Sequence, residues 1–473
     1  MSERDFAIDI LSQLPYEPNE QQMQVAMALA RFCSTVPELG FGCGDRVFVL
    51  NGYAGTGKTT LTSALVRTLR AHRMRAVLLA PTGRAAKVFT AYSGLPASTI
   101  HRHIYRHSLL GNHGMPPPKE NKFKNTVFIV DEASMIGTDN DMGSNLLTDL
   151  IHYVYSAEGC RMILVGDTAQ LPPVGQSESP AMSIDTLRAY GLRVSHATIT
   201  DVARQSAQSG ILRNATRLRK AMALPPDAAN TPVKLIVGGY DDVSIVAGED
   251  LPDLIEQLYK RDGIDETIIV TRSNRSATLF NNAIRSQILE REEQLTPGDL
   301  LISAKNNYYW TRPVKGLDFI ANGEVLRLLK VIGTEKRFGL NFADVIMEIA
   351  DRPGIEFEAK LALDTLTGDA AALDRQSMKR LYEGIAAEAP DGIAPSPSRL
   401  QESPYWNALQ VKYGYAVTCH KAQGGQWKNV LVDLSYIPPD QVGFEFYRWL
   451  YTAITRARAN LYLINPPEEV WRG

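Results

Sequence analysis

The sequence predicts an α/β protein with parallel sheets covered by helices, built in two such regions with a β-rich insertion in the second. Three observations carry this. Short strands that are apolar on both faces alternate with helical or loop segments, which is the pattern of parallel strands buried between helix layers. One such strand runs into a complete phosphate-loop pattern followed by a helical repeat. The stretch 296–410 has a different texture, with Gly and Pro punctuation and short strand-like pieces.

In the first region, Arg46 to Leu50 (RVFVL) is a compact apolar run closed by a Gly-rich turn, after which Leu61, Leu65 and Leu69 recur at helical spacing. Ala76 to Ala80, Val127 to Val130 and Met162 to Val165 are further strands of the same kind. A second alternating region begins near Asp201, with Thr267 to Thr271, Val430 to Leu434 and Leu461 to Ile464 as its strands. Glu324 to Val331 reads as a strand of the insertion, which ends in a Pro-rich stretch from Pro390 to Pro404. A smaller insertion spans about 102–124, and its middle (GNHGMPPP) reads as a loop or hairpin tip. The expected division is 1–200, 201–295, 296–410 and 411–473, the first and the two outer parts of the remainder forming the α/β regions.

Composition bounds the function. The 473 residues allow about three domains. Lys and Arg total 50 against 52 acidic residues, so the chain is not a basic nucleic-acid coat, although a local basic groove remains compatible with that balance. Cys33, Cys43, Cys160 and Cys419 are scattered with no Cys-x-x-Cys pair, which indicates neither a zinc site nor a disulfide framework. No run of 18 apolar residues is present, and the first 15 residues lack a signal-peptide core. A cytoplasmic, reducing location is therefore expected.

Gly52-Tyr-Ala54-Gly55-Thr56-Gly57-Lys58-Thr59 fits the phosphate-loop pattern in full, between strand and helix as the chemistry requires. Glycines let the backbone curl so that several N–H groups face one phosphate, and the helix N-terminus adds favourable partial charge. Lys58 is expected to reach the β and γ phosphates and Thr59 to ligate Mg²⁺, with Thr60 beside it. Asp131-Glu132 ends the strand VFIV: Asp131 is placed to hold Mg²⁺, and Glu132 to position and deprotonate the attacking water. Gly166-Asp-Thr-Ala-Gln170-Leu-Pro-Pro ends another strand, and Gln170 is a candidate γ-phosphate sensor. ATP and Mg²⁺ are the expected cofactors.

In this order the motifs resemble those of superfamily 1B helicases, in particular the RecD/Dda-like branch. Asn19-Glu-Gln-Gln22 looks like the adenine-reading Q motif, with Gln22 as reader, and the phosphate loop like motif I. Ala80-Pro-Thr82-Gly-Arg-Ala-Ala-Lys87 looks like motif Ia, with Ser98-Thr99-Ile-His101 similar to the segment after it. Asp131 to Ser134 is similar to motif II and Gly166 to Pro173 to motif III; Thr200-Asp-Val-Ala-Arg204-Gln is similar to motif IV. Tyr415 to Gly424, which holds Thr418, His420, Lys421 and Gln423, is very like motif V. Tyr451-Thr-Ala-Ile-Thr-Arg456-Ala-Arg is very like motif VI.

The resemblance implies two RecA-like lobes with ATP between them, Arg204 and Arg456 reaching the γ phosphate from the second lobe, and Gly424 at the nucleotide. It implies translocation on single-stranded DNA, 5′ to 3′, with duplex unwinding, by a monomer that meets forked or tailed DNA and replication or recombination proteins; RNA is a further possible strand. Thr82, Thr99, His101, Thr418, His420 and Lys421 become strand contacts. The 102–124 insertion takes the place of a duplex-splitting pin, with Leu110, Met115 and the prolines as wedge, and 296–410 that of an SH3-like subdomain. Gln426 departs from the acidic residue the family often carries there, so it is left out of the ATP site. The aromatic run Asn307-Tyr-Tyr-Trp310 is expected to pack the insertion's core. A strand translocase without unwinding, or an ATP-gated single-strand binder, shares every ATP-site residue.

Overall fold

In the computed structural model, the described residues are 2–34, 45–105, 118–138, 145–201, 208–224, 233–314, 317, 319–350, 352–368, 370, 372–388, 400, 402–438 and 441–472. Two helices open the chain, α1 (Glu3–Ser12) and α2 (Glu20–Ser34). A six-stranded parallel sheet follows: β1 (Arg46–Gly52), β2 (Arg75–Ala80), β3 (Ala97–Thr99), β4 (Thr126–Val130), β5 (Arg161–Gly166) and β6 (Arg193–Ile199), in the order β3-β2-β4-β5-β1-β6. Helices α3 (Lys58–Ala71), α4 (Gly83–Ser93), α5 (Ile100–Ile104), α6 (Leu146–Tyr155) and α7 (Ile184–Ala189) cross between strands.

Strands β4 (TVFIV) and β5 (RMILVG) are buried at every residue, so hydrophobic cores form on both sheet faces. The order places β1 beside β5 and β5 beside β4. The loops after these three strands therefore leave the sheet at one edge, beside the reversal in strand order where α/β folds bind ligands.

The second sheet is also parallel, with the order β15-β9-β16-β17-β8. After α8 (Gly210–Met222) and the short β7 (Leu235–Ile236) come β8 (Val243–Val246), α9 (Leu251–Asp262), β9 (Thr267–Thr271) and α10 (Asn274–Ala283). The chain then leaves this sheet for a closed five-stranded barrel made of β10 (Leu300–Ser303), β11 (Val325–Arg337), β12 (Leu340–Ile349), β13 (Glu356–Ala362) and β14 (Leu409–Tyr413). All pairs in the barrel are antiparallel except β13 with β14. Helices α11 (Asp364–Thr367) and α12 (Arg375–Ala387) lie between these last two strands. The chain returns through β15 (Ala416–Thr418), α13 (Cys419–Ala422), β16 (Trp427–Asp433), α14 (Phe444–Ile454) and β17 (Ala457–Ile464), and β18 (Trp471–Arg472) pairs with β7.

One hydrophobic core runs without a break from this second sheet (Ile269, Leu431) into the barrel (Leu326, Met347, Val411). A buried charge group pins the same junction. Asp299, fully buried, accepts from Arg285 (3.1 and 3.0 Å), Arg291 (2.7 Å) and the Tyr415 hydroxyl (2.9 Å). Tyr309 and Trp310 donate to the carbonyls of Glu402 and Asn407, and Tyr308 stacks on Phe319, so the aromatic run packs the insertion.

Two parts differ from expectation. β6 and α12 are elements the apolar patterns do not reveal: β6 (RVSHATI) is an edge strand exposed along much of its length, and α12 buries only Ser377, Leu381 and Ile385. The tip of the 102–124 insertion, with Leu110 and Met115, lies outside the described residues, as does most of Pro390 to Pro404. At the base of that insertion Tyr105 pairs antiparallel with Pro118, and the Lys119 N–H donates to the Ile104 carbonyl, so the two ends meet. No helix among the described residues is long and apolar enough to cross a membrane.

Candidate functional site

The phosphate loop leaves β1 at Gly52 and enters α3 at Lys58. Gly55 and Gly57 have φ of 74° and 80°, a left-handed backbone that only glycine adopts without strain. A side chain on Gly57 would also strike the Tyr16 hydroxyl and Gln22 Nε2. Gln22 is buried against the loop. Its Nε2 donates to the Thr56 carbonyl (3.0 Å) and Tyr16 hydroxyl (3.3 Å), while its Oε1 accepts the Asn19 N–H (3.1 Å). Gln21 points elsewhere, its Oε1 taking the Thr200 and Asp201 N–H groups.

Two carboxylates rise beside the loop from the neighbouring strands. Asp131 follows β4 and is 5% exposed; burial, reinforced by the Glu132 charge and opposed by Lys58, pushes its carboxyl up to about 7. Asp167 follows β5 and is fully buried; burial raises its carboxyl too, against Lys58 and a hydrogen bond from Tyr451. Glu132 has φ of 52°, uncommon for a non-glycine residue, and its buried Oε2 has no hydrogen-bond partner among the described residues. Gln170, 3% exposed, likewise has a buried Oε1 without such a partner. Strain and unmet hydrogen-bonding capacity at one place mark a site that waits for a ligand. Thr59 and Asp131 offer one hydroxyl and one carboxylate, hard oxygen donors that fit Mg²⁺, an ion that keeps several waters and shares phosphate oxygens.

The second lobe closes the cleft with α14 and the segment after β15. Arg448 donates to the carbonyls of Gln170 (2.8 Å), Ser177 (2.7 Å) and Thr168 (3.2 Å). Thr452 Oγ1 accepts the Leu171 N–H (2.8 Å), and Gln423 Nε2 donates to the Leu171 carbonyl (2.7 Å). The Tyr451 hydroxyl accepts the Ala54 N–H (2.8 Å) and donates to Asp167 Oδ2 (2.6 Å). Ala169 and Leu171 are thus packed into the second lobe's own core. Arg456 is 3% exposed; it donates to the carbonyls of Thr452 (3.1 Å) and Gly425 (3.4 Å) and to the Thr455 hydroxyl (3.3 Å). A side chain on Gly424, at φ 70°, would meet Thr82 Oγ1, Ala85 and Met135, and Arg84 stacks on Trp427 at 3.9 Å.

Lys58, Asp131, Glu132 and Gln170 therefore gather at one edge with Gly52, Ala54, Gly55, Thr56, Gly57, Thr59 and Thr60. Gln22 braces the loop from behind. Gly424 faces α4. Arg204 lies outside the described residues.

Three of the strand candidates line recesses, Thr99 one and Thr418 with Lys421 another. Thr82 and Thr99 cap α4 and α5, accepting the Ala85 and Arg102 N–H groups. Thr99 and Gly83 line a recess completed by Phe319, Glu324 and Arg352 of the insertion. His101 lies 6.4 Å from the Phe319 ring, and burial lowers its imidazole to about 4, so it is neutral there. Thr418 and Lys421 line the other recess with Asn274, Thr278 and Lys412; burial also lowers His420 and Lys421 from their ordinary values.

Sequence reasoning passes over Tyr16 and Arg448, and quotes Asp167, Gln423, Tyr451 and Thr452 only inside motifs. Arg448 carried a signal: it is an arginine within FEFYRWLYTAI, a helix otherwise too apolar to be exposed.

Residues 40–229 match the model of an AAA domain, and residues 413–464 that of a UvrD-like helicase C-terminal domain. The chain is 27% identical to the ATP-dependent RecD2 DNA helicase of Deinococcus radiodurans over 89% of its length and 47% of the relative's. It is 26% identical to the ATP-dependent DNA helicase dda of Enterobacteria phage T4, over 59% of this chain and 62% of that one. The chain thus spans about half the length of the RecD2 relative. A crystal structure of a Bacteroides Pif1 helicase with ADP-AlF3 and single-stranded DNA covers 96% of this chain and 94% of its own, at 15% identity and a TM-score of 0.47. With a phosphate loop and carboxylates on one lobe and the UvrD-like segment closing over them from the other, the cleft is a nucleotide-binding site, and the chain is similar in both regions to ATP-dependent DNA helicases such as RecD2 and dda.

Proposed function

We propose that the chain is an ATP-driven helicase that moves along single-stranded DNA in the 5′ to 3′ direction and opens the duplex ahead of it. The observation that carries this reading is the direct bond between the lobes at the phosphate loop, from Tyr451 of α14 to the Ala54 N–H. It makes the cleft a hinge whose two sides are in register, with Arg456 two residues beyond the helix end.

Lys58 and the loop N–H groups hold the β and γ phosphates. Glu132, with its free oxygen, orients and deprotonates the attacking water, and Gln170 senses the γ phosphate. Arg456, and Arg204 by its place in the sequence, neutralise charge in the transition state. Thr59 and Asp131 would hold Mg²⁺, which supplies charge neutralisation on the phosphates. ATP favours the closed cleft because only closure completes these contacts, and hydrolysis removes the preference. Thr82, Thr99 and His101 on one lobe, and Thr418, His420 and Lys421 on the other, grip the strand in alternation. Such a grip is sequence-independent and salt-sensitive. The working division is 1–200 for the first lobe, 201–295 with 411–473 for the second, and 296–410 for the SH3-like insertion. A monomer in the cytoplasm, acting on forked or tailed DNA, satisfies this mechanism.

The test is unwinding of two labelled partial duplexes, one with a 5′ and one with a 3′ single-stranded tail, in ATP and Mg²⁺, with Lys58→Ala as control. Opening of the 5′-tailed duplex alone, abolished in the control, is the expected result. Strand-stimulated hydrolysis without opening of either duplex would overturn unwinding.

A further inference from the structure

The side-chain amide of Gln22 has two N–H donors and one carbonyl oxygen, and all three are engaged. Nε2 donates to the Thr56 carbonyl (3.0 Å) and to the Tyr16 hydroxyl (3.3 Å). Oε1 accepts the Asn19 N–H (3.1 Å), and Asn19 Oδ1 accepts the Gln22 N–H in return (2.8 Å). These last two bonds form a reciprocal cap on the first turn of α2. The amide cannot be turned over, because that would set Nε2 against the Asn19 N–H and Oε1 against the Thr56 carbonyl. Gln22 is 1% exposed and Thr56 fully buried, so water does not stand in for a lost partner. The neighbouring glutamine is committed too. Gln21 Nε2 donates to Thr200 Oγ1 (2.9 Å), and its Oε1 accepts the Thr200 and Asp201 N–H groups (2.8 and 3.1 Å).

Adenine presents an amino group at C6, which donates, and N7, which accepts. A glutamine that reads it must take one hydrogen bond and give another. Gln22 has no N–H left to give, and Gln21 has no lone pair left to take. What Gln22 holds instead is the phosphate loop. The Thr56 carbonyl precedes Gly57, where a side chain would strike both Gln22 Nε2 and the Tyr16 hydroxyl. Gly57 in turn caps α3, next to Lys58. We infer that Gln22 is a positioning residue for the phosphate loop and reads no base, so that the site takes purine nucleoside triphosphates with little regard to the group at C6. This departs from the adenine-reading role that the resemblance assigns to the segment Asn19 to Gln22. The phosphates carry the recognition, and Gln22 acts on it through the shape of the loop. The inference rests on the reading of that loop as the triphosphate site.

The test measures kcat and KM for ATP and for GTP, and inhibition by inorganic tripolyphosphate, in the full chain with Mg²⁺ and oligo(dT). Tripolyphosphate has no base, so its Ki follows the phosphate grip alone. A site built to hydrogen-bond a substrate group rejects the analogue lacking it by roughly 10⁴-fold. Here kcat/KM for GTP is expected within about tenfold of that for ATP, the span of one ordinary hydrogen bond. Gln22→Met keeps the length of the side chain and removes both N–H groups. It is expected to raise KM for ATP, KM for GTP and Ki for tripolyphosphate by a common factor of about tenfold, with kcat changed less. Tyr16→Phe removes one of the two acceptors and is expected to move the three constants together by a smaller factor; it decides the matter if Gln22→Met does not fold. A preference for ATP over GTP beyond about tenfold overturns the proposal. So does an effect of either variant confined to ATP, which marks a base reader, or confined to kcat, which marks a loss of folded enzyme. If Lys58→Ala hydrolyses ATP like the wild type, the reading of the loop fails and the proposal with it. If Lys58→Ala is inactive and ATP alone responds to Gln22→Met, that reading stands and only the proposal falls.

Discussion

On the first-lobe face of the cleft, Glu132 and Gln170 keep buried oxygens without partners among the described residues, and Asp131 is held up to about 7 by its burial. On the second-lobe face, Arg448, Tyr451, Thr452 and Gln423 each make hydrogen bonds to first-lobe backbone or to Asp167. One face is left unsatisfied and the other is saturated. Unmet valences belong where a ligand will supply the partner, and met ones where two bodies must be held together. The difference separates residues of the chemistry from residues of the hinge, and substitutions can challenge the separation.

The largest effect is expected at Glu132. Glu132→Gln keeps size and removes the base, so kcat for ATP should fall by up to about 10⁴-fold. Affinity for a fluorescent ATP analogue should stay within a few-fold. Loss of binding in parallel with kcat would show that Glu132 belongs to the phosphate grip instead, and the distinction drawn for that face would fail.

Arg456 is the residue that strains the comparison, since it lies on the saturated face, bonded to the Thr452 and Gly425 carbonyls, yet is assigned to the chemistry. Its acceptors are neutral carbonyls and a hydroxyl, so its charge is solvated but not cancelled within that set. Arg456→Lys retains the charge and loses the planar fork. A fall in kcat of about 10³-fold, with the denaturation midpoint close to wild type, is the expected outcome in steady-state ATPase and urea titration. A large loss of stability with intact kcat would move Arg456 to the hinge.

How much of this was legible beforehand follows the same line. Much of the unsatisfied face is legible, because its chemistry demands fixed residue types at fixed spacing, Gly52 to Thr59 and then Asp131 and Glu132 at a strand end, whereas Asp167 is singled out only by its place beside the loop. The saturated face is not. Backbone carbonyls such as those of Gln170 and Ser177 leave no trace in sequence, so nothing in the motif strings announces that Arg448 will bind them. Only its place in an apolar helix hinted at burial. Strands β4 and β5 were plain because both faces are apolar, whereas β6 and α12, half exposed, have too few buried positions to stand out. The barrel's closure rests on β14 returning to β10 across more than a hundred residues, a pairing no local pattern encodes.

Arg448 sharpens the comparison from the other side. Arg448→Met preserves much of the stem's packing and leaves three carbonyls without their donor, at a cost of about 2 kcal/mol. The expected result is a lower urea midpoint and a weaker effect on kcat than at Glu132 or Arg456. A collapse of kcat with unchanged stability would place Arg448 among the chemical residues.

The smallest effect is read through pH at the base of the 102–124 insertion, away from both faces of the cleft. His103 is enclosed by the rings of Phe123, Phe128 and Tyr153, and burial, helped by the Lys119 charge, lowers it to about 4. His101, against Phe319 at the junction with the insertion, is lowered to about 4 by burial alone. In the unfolded chain both return to about 6.5. The folded pKa lies below the unfolded one, so protons bind the unfolded chain more tightly. The stability this represents is complete above pH of about 6.5 and is lost progressively as pH falls toward about 4. His103→Phe removes one of the two titrations in a pocket already lined by aromatic rings. Urea midpoints measured between pH 7 and 4.5 should fall for both proteins, and less steeply for the variant, by at most about 1.4 kcal/mol per pH unit. Parallel curves would mean that His103 takes up its proton in the folded chain as readily as in the unfolded one, and the aromatic enclosure at the base of the insertion would then be open to water.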